Sequence, residues 1–135
     1  VADFGTSVTL DRPFDQAVDL VTKALAQEEF GVISRIDLDK AFAEKIGKSF
    51  RRYTILGACN PGLAYRAVSA RPDVGLLLPC NVTVEEAASG TLVRLVDAGQ
   101  MMAMGDLGAV PEIAELAQDA GARLARVAES LRSTV

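Results

Sequence analysis

The sequence predicts an α+β fold of two layers, an antiparallel sheet with helices on one of its faces. Three observations carry that expectation. Strand-like runs and helical stripes follow one another as strand, helix, four strands with short helical insertions, and a long helix. Two of the runs, one holding Val82 and Val84 and the other Leu92, Val93, Leu95 and Val96, flank Ala87-Ala88-Ser89-Gly90, a connection short enough for a β-hairpin. From Pro111 onward, Ile113, Leu116, Ala117, Ala120, Leu124, Val127, Ala128 and Leu131 recur at helical spacing over about five turns.

Phe4, Thr6, Val8 and Leu10 share one parity, with small or polar residues on the other, so Phe4 to Leu10 reads as a half-buried first strand. Pro13 suits a first helical turn because its missing N–H would be unpaired there anyway, and Asp15 favours the positive end of the helix dipole. Phe14, Ala17, Val18, Val21, Ala24 and Leu25 then make an apolar face that should end near Glu29. Gly31 releases the chain into a second strand, Val32 to Asp37, rich in β-branched residues. Asp37 or Asp39 can cap a short peripheral helix carrying Leu38, Phe42 and Ile46, and Gly47 stands where a left-handed residue ends it.

A third strand is expected from Phe50 to Ala58, delivering Cys59. Asn60-Pro61 is a helix start, with asparagine as N-cap and proline at the first helical position, and Arg71-Pro72 should end that helix. A fourth strand is expected from Val74 or Gly75. Leu76-Leu77-Leu78 is apolar on both parities, which implies burial on both faces, and Pro79 implies a bulge or sheet edge just before Cys80. Ala98 to Ala109 has no clear period and reads as a loop or single turn whose methionines cover the sheet. The acid pairs Glu28-Glu29 and Glu85-Glu86 read as solvated charges at element ends.

Composition bounds the function. A chain of 135 residues, half of them apolar, fits one domain spanning 1–135. With a mean hydropathy of +0.23 and no apolar run near the ~20 residues of a membrane helix, the expectation is a soluble globule without a membrane partner. The net charge of −4 and scattered basic residues speak against a nucleic-acid partner. The one basic pair, Arg51-Arg52, lies in a strand-like stretch whose alternation sends its members to opposite faces. The chain opens without an initiator methionine or a signal-like basic and apolar pair, which reads as a trimmed or processed form. A cytoplasmic location is favoured, with an extracytoplasmic one left open for a processed chain.

Chemistry concentrates between Tyr53 and Val84. There is no histidine, no tryptophan, no phosphate loop and no nucleophile motif, so hydrolysis has no supporting residues. The two cysteines are too few for a disulfide scaffold and should be free thiols. Each is followed by asparagine and each falls where regular structure breaks, in ILGACNPGLAYR and GLLLPCNVTV. Cys59 precedes a helix start, where the dipole favours a thiolate, and is expected to be the more reactive. If the third and fourth strands are neighbours, the two segments meet. The competing reading makes both cysteines small buried hydrophobes, with Asn60 as an N-cap and Asn81 as a turn or bulge residue. Structural zinc is disfavoured because two cysteines and no histidine fall short of four ligands, while a haem or a soft ion such as Cu(I) would use Cys59 and Cys80.

The sequence resembles the domain-of-unknown-function 302 family. The residues that carry this are Phe14-Asp15 with the helix after them, Phe30-Gly31-Val32 before a strand, ILGACNP with Leu63-Ala64, and GLLLPCN. The resemblance covers most of the chain, and the separation of its cysteine segments is specific. It implies a TATA-binding-protein-like topology (β-α-β-β-β-β-α) and a homodimer. In one departure, Glu29 stands where family members usually have a glycine before the Phe-Gly pair. The leading functional expectation is a small homodimeric binding or thiol-redox module for an unknown small ligand, with Cys59, Asn60, Cys80 and Asn81 as candidate site residues. The same thiolates holding haem or a soft metal, and an interaction domain with inert cysteines, are the alternatives; cofactor and catalytic residues stay unassigned.

Overall fold

Alternating apolar residues and amphipathic stripes resolve into a five-stranded sheet backed by helices in a computed structural model that describes residues 4–134. The strands are β1 (Gly5–Leu10), β2 (Gly31–Asp37), β3 (Tyr53–Cys59), β4 (Cys80–Glu86) and β5 (Thr91–Val96). The helices are α1 (Phe14–Gln27), α2 (Leu38–Ile46), α3 (Pro61–Ala70), α4 (Ala98–Met101) and α5 (Pro111–Arg132). Strand order is β1-β5-β4-β3-β2, with every neighbouring pair antiparallel. The expected α+β class holds, and β3 and β4 are the neighbours their sequence proximity suggested.

Period-two alternation puts Val8, Leu10, Leu56, Val82, Val84 and Val93 on the face toward the helices, where Val21 and Leu25 of α1 and Leu124 and Val127 of α5 meet them. A second apolar cluster lies beyond the end of the sheet. There Ala67 of α3 and Val74 pack with Met102, Leu107, Ile113 and Leu116. Of the three methionines, Met101 packs against both clusters, Met102 lies in the second and Met104 is exposed, so the expected sheet cover is met only in part.

The fourth strand requires the main correction. Pro72–Leu77 is a 3-10 helix, and only from Cys80 does the chain join the ladder. Pro72 opens that helix with a preset φ, and the Arg71 guanidinium holds Asp73 through Nε at 3.0 Å and Nη2 at 2.9 Å. Leu76 is 89% exposed, so the leucine triplet is not buried on two faces. A run of three leucines has no period, and the flanking prolines decided its conformation. Pro79, reached through a cis Leu78–Pro79 bond, precedes the strand instead of interrupting it.

The third strand begins at Tyr53, not Phe50. Its expected first residues instead make side-chain contacts: Phe50 stacks edge-on against Phe42 at 5.6 Å between centroids, and Arg52 lies over the Phe14 ring at 4.1 Å while pairing with Asp15 at 3.0 Å. Arg51 turns to Glu85. Gly47 adopts the left-handed φ of 65° expected of it at the end of α2, and α2 buries none of its residues. Glu29, in the place where the resemblance led one to expect glycine, has a φ of 66°.

Candidate functional site

β3 brings the chain to Cys59, and Asn60 then caps α3 by accepting a hydrogen bond from the Leu63 N–H at 3.2 Å. The antiparallel register sets Ala58 opposite Cys80 and Gly57 opposite Asn81. Gly57 is required there: a Cβ would stand 2.1 Å from Ser34 Oγ and 2.7 Å from Pro79 Cγ. The β3–β4 ladder therefore joins the two segments, as sequential strand pairing suggested, but it does not set the two cysteines opposite each other.

Beside that ladder end lies a cavity of about 310 Å³, walled by α3, by the first turns of α5 and by the residues on either side of Pro79. Cys59, Asn60 and Cys80 all line it, with Phe30, Met102 and Ile113 among the apolar remainder. Among the described residues no charged side chain belongs to the wall. Cys59 is half-buried, whereas Cys80 belongs to the main core, and both are free thiols. Burial pushes the Cys80 thiol up to about 11, with a smaller contribution from the charge of Cys59. Cys80 accordingly holds its proton at neutral pH.

Asn81 parts company with the other three. Alternation sends it to the opposite, open face of the sheet, where it is exposed and lines a separate depression with Tyr53, Thr83 and Arg94. The Thr83 hydroxyl there is buried without a hydrogen-bond partner among the described residues. Among the described residues no group of three or more His, Cys, Asp or Glu side chains could hold a metal ion. No helix among them is long and apolar enough to cross a membrane.

Two features escaped the sequence. Glu85 is not solvated: it is buried on the open face between Arg51 and Arg94, each of which donates to one of its carboxylate oxygens. Burial alone would raise its pKa, but the hydrogen bonds and charges of Arg94 and Arg51 prevail and hold it below the usual carboxylate value. Alternation along β4 and β5 puts Glu85 and Arg94 on one face, but Arg51 approaches from outside the ladder. The second missed feature is the cavity wall. Ile113 and Leu116 belong to the α5 stripe, and helical spacing does not distinguish a residue that fills a core from one that walls a cavity.

The chain matches the family model described as "Domain of unknown function DUF302" over residues 6–131. Among solved structures it is similar to an uncharacterized conserved protein DUF302 from Bacillus stearothermophilus, with a TM-score of 0.85 and 26% sequence identity. That likeness covers 97% of this chain and 100% of the other. The comparison with curated proteins found no match.

Proposed function

The chain belongs to the DUF302 family, and from that premise we propose that it is a small binding module whose ligand occupies the cavity beside the β3–β4 ladder end, with Cys59 as the accessible thiol. The cavity itself carries this reading. At about 310 Å³ it lies at the lower end of the size range of small-molecule sites, and its wall is apolar with a few polar groups, the usual composition of such sites. Cys59 is half-buried at the end of β3, just before the Asn60 cap of α3, while Cys80 is a buried neutral thiol. That difference in burial makes Cys59 the thiol that a ligand or reagent reaches first.

Native-state labelling tests the reading. With a small maleimide at pH 7, Cys59 is expected to react in the folded chain and Cys80 only on unfolding, and Cys59→Ser should remove native labelling while preserving the fold. An apolar ligand that fills the cavity should slow labelling of Cys59. Equal, slow reaction of both cysteines only on unfolding would favour the inert reading.

The binding module is proposed to be a homodimer joined through the β2 side of the open sheet face. Ile36, 50% exposed, stands opposite Ile55 in the ladder, and the neighbouring rings of Phe50 and Tyr53 lie 6.3 Å apart. A second copy would cover this apolar strip by twofold self-complementarity, the commonest symmetry of soluble oligomers. Light scattering at micromolar concentration should give twice the 14.3 kDa chain mass, and Ile36→Asp should return it to one chain. A single-chain mass for the unaltered protein removes the dimer.

A further inference from the structure

We infer that the ligand of this cavity is a compact, uncharged molecule bearing a carbonyl oxygen, which accepts a hydrogen bond from Nδ2 of Asn60; the inference rests on the binding reading above. Asn60 is 9% accessible and lies on the cavity wall. Its carboxamide has two ends. Oδ1 is committed to the Leu63 N–H at 3.2 Å, which also fixes which end is oxygen. Nδ2, carrying two N–H donors, has no acceptor among the described residues.

Capping does not explain that donor. An N-cap needs only a side-chain oxygen, and aspartate, serine or threonine would supply it equally well at this position. Among the described residues the buried side-chain atom without a partner is Thr83 Oγ1, so Nδ2 of Asn60 still meets solvent, and a ligand that displaces that water must offer it an acceptor or leave its desolvation uncompensated. Asparagine here is therefore a cap with a surplus donor, placed on the wall of an otherwise apolar space.

The rest of the wall narrows the chemistry. Among the described residues it presents no charged side chain, so a carboxylate or ammonium would enter without a counter-charge, which is unfavourable in apolar surroundings. A neutral acceptor such as a ketone, aldehyde or ester carries no such penalty. Since an apolar cavity of ~150 Å³ holds benzene, the volume of about 310 Å³ admits a single substituted ring. A single ring or a short branched chain with one carbonyl satisfies both limits.

Acetophenone and α-methylstyrene test the assignment, because they share a shape and differ in C=O against C=CH₂. Their affinities would be measured for the unaltered chain, for Asn60→Asp, which keeps the capping oxygen and removes both donors, and for Asn60→Ser, which keeps a cap without adding charge. Each variant's melting curve would be compared with that of the unaltered chain. The expected result is a loss of roughly five- to tenfold for acetophenone in both variants, the scale of one net hydrogen bond, with α-methylstyrene changed less than twofold. Equal responses of the two probes, or none, in folded variants would overturn the donor assignment while leaving the cavity as a site. Failure of both probes to bind the unaltered chain would overturn the binding reading and this inference with it.

Discussion

Arg123 of α5 donates from Nη1 to the Glu29 carboxylate at 2.9 Å and to the Glu28 backbone carbonyl at 3.2 Å, fastening the end of α1 to the C-terminal helix. The residue it grips is the one non-glycine residue with positive φ among those described. A left-handed conformation costs an L-residue with a Cβ roughly 1–2 kcal/mol relative to glycine.

Glu29→Gly and Glu29→Ala both remove the ion pair, and only glycine also removes the conformational cost. The glycine variant is expected to be more stable than the alanine variant by about 1 kcal/mol, the reverse of their order in a helix interior. Denaturant midpoints decide it, and an alanine variant as stable as glycine would show that the turn is unstrained.

The buried Cys80 thiol gives an alkaline signature. Its pKa is raised from 9.0 to about 11, so the folded chain holds a proton that the unfolded chain releases between those values. The stabilisation is complete below pH 9 and is lost as pH rises toward 11, about 2–3 kcal/mol in all. Unfolding measured across this window should show a decline that Cys80→Ala flattens. The same slope in the variant would assign the decline to lysine or tyrosine.

Glu85 gives the opposite signature. Its folded pKa is depressed, so its contribution is present above the ordinary carboxylate value of ~4.3 and disappears as pH falls through the folded value. Glu85→Gln should destabilise the chain by about 1–2 kcal/mol near pH 7, a figure discounted because both arginines are half exposed. The gap between the two proteins should narrow as pH falls through that folded value. A gap independent of pH would mean that shape, not charge, fits Glu85 to its place.

Leu124 fills the centre of the α5 stripe and is buried against the sheet. Leu124→Ala is expected to cost about 2–5 kcal/mol. A denaturant midpoint left unchanged would show that α5 is not packed as described.

Elements whose periodicity and end signals agree were legible in the sequence. The α5 stripe, the α1 face and the Asn60-Pro61 helix start each combine spacing with a suitable first residue, and each occurs where expected. Leu76-Leu77-Leu78 lacked such agreement, because composition favoured a strand while the prolines at 72 and 79 favoured a turn. The meeting of the cysteine segments could be argued from sequential strand pairing. The divergence of Asn81 also followed from alternation once the strand start was known, and the misplaced start concealed it. The cavity depends on how far α3 stands from α5, a distance that no local pattern encodes.

The pairing of β1 with β5 has a kinetic consequence. Leu10 meets Thr91 across everything the chain does between them, so this edge forms only by closing the longest loop in the sheet. The other three strand pairs join segments much closer in sequence and can assemble first, since loop-closure entropy delays contacts between distant segments. β1 should therefore dock after the main barrier has been crossed. Loosening it by Val8→Ala is expected to hasten unfolding and leave the refolding rate nearly unchanged in stopped-flow traces. A slowed refolding limb would instead put β1 in the nucleus.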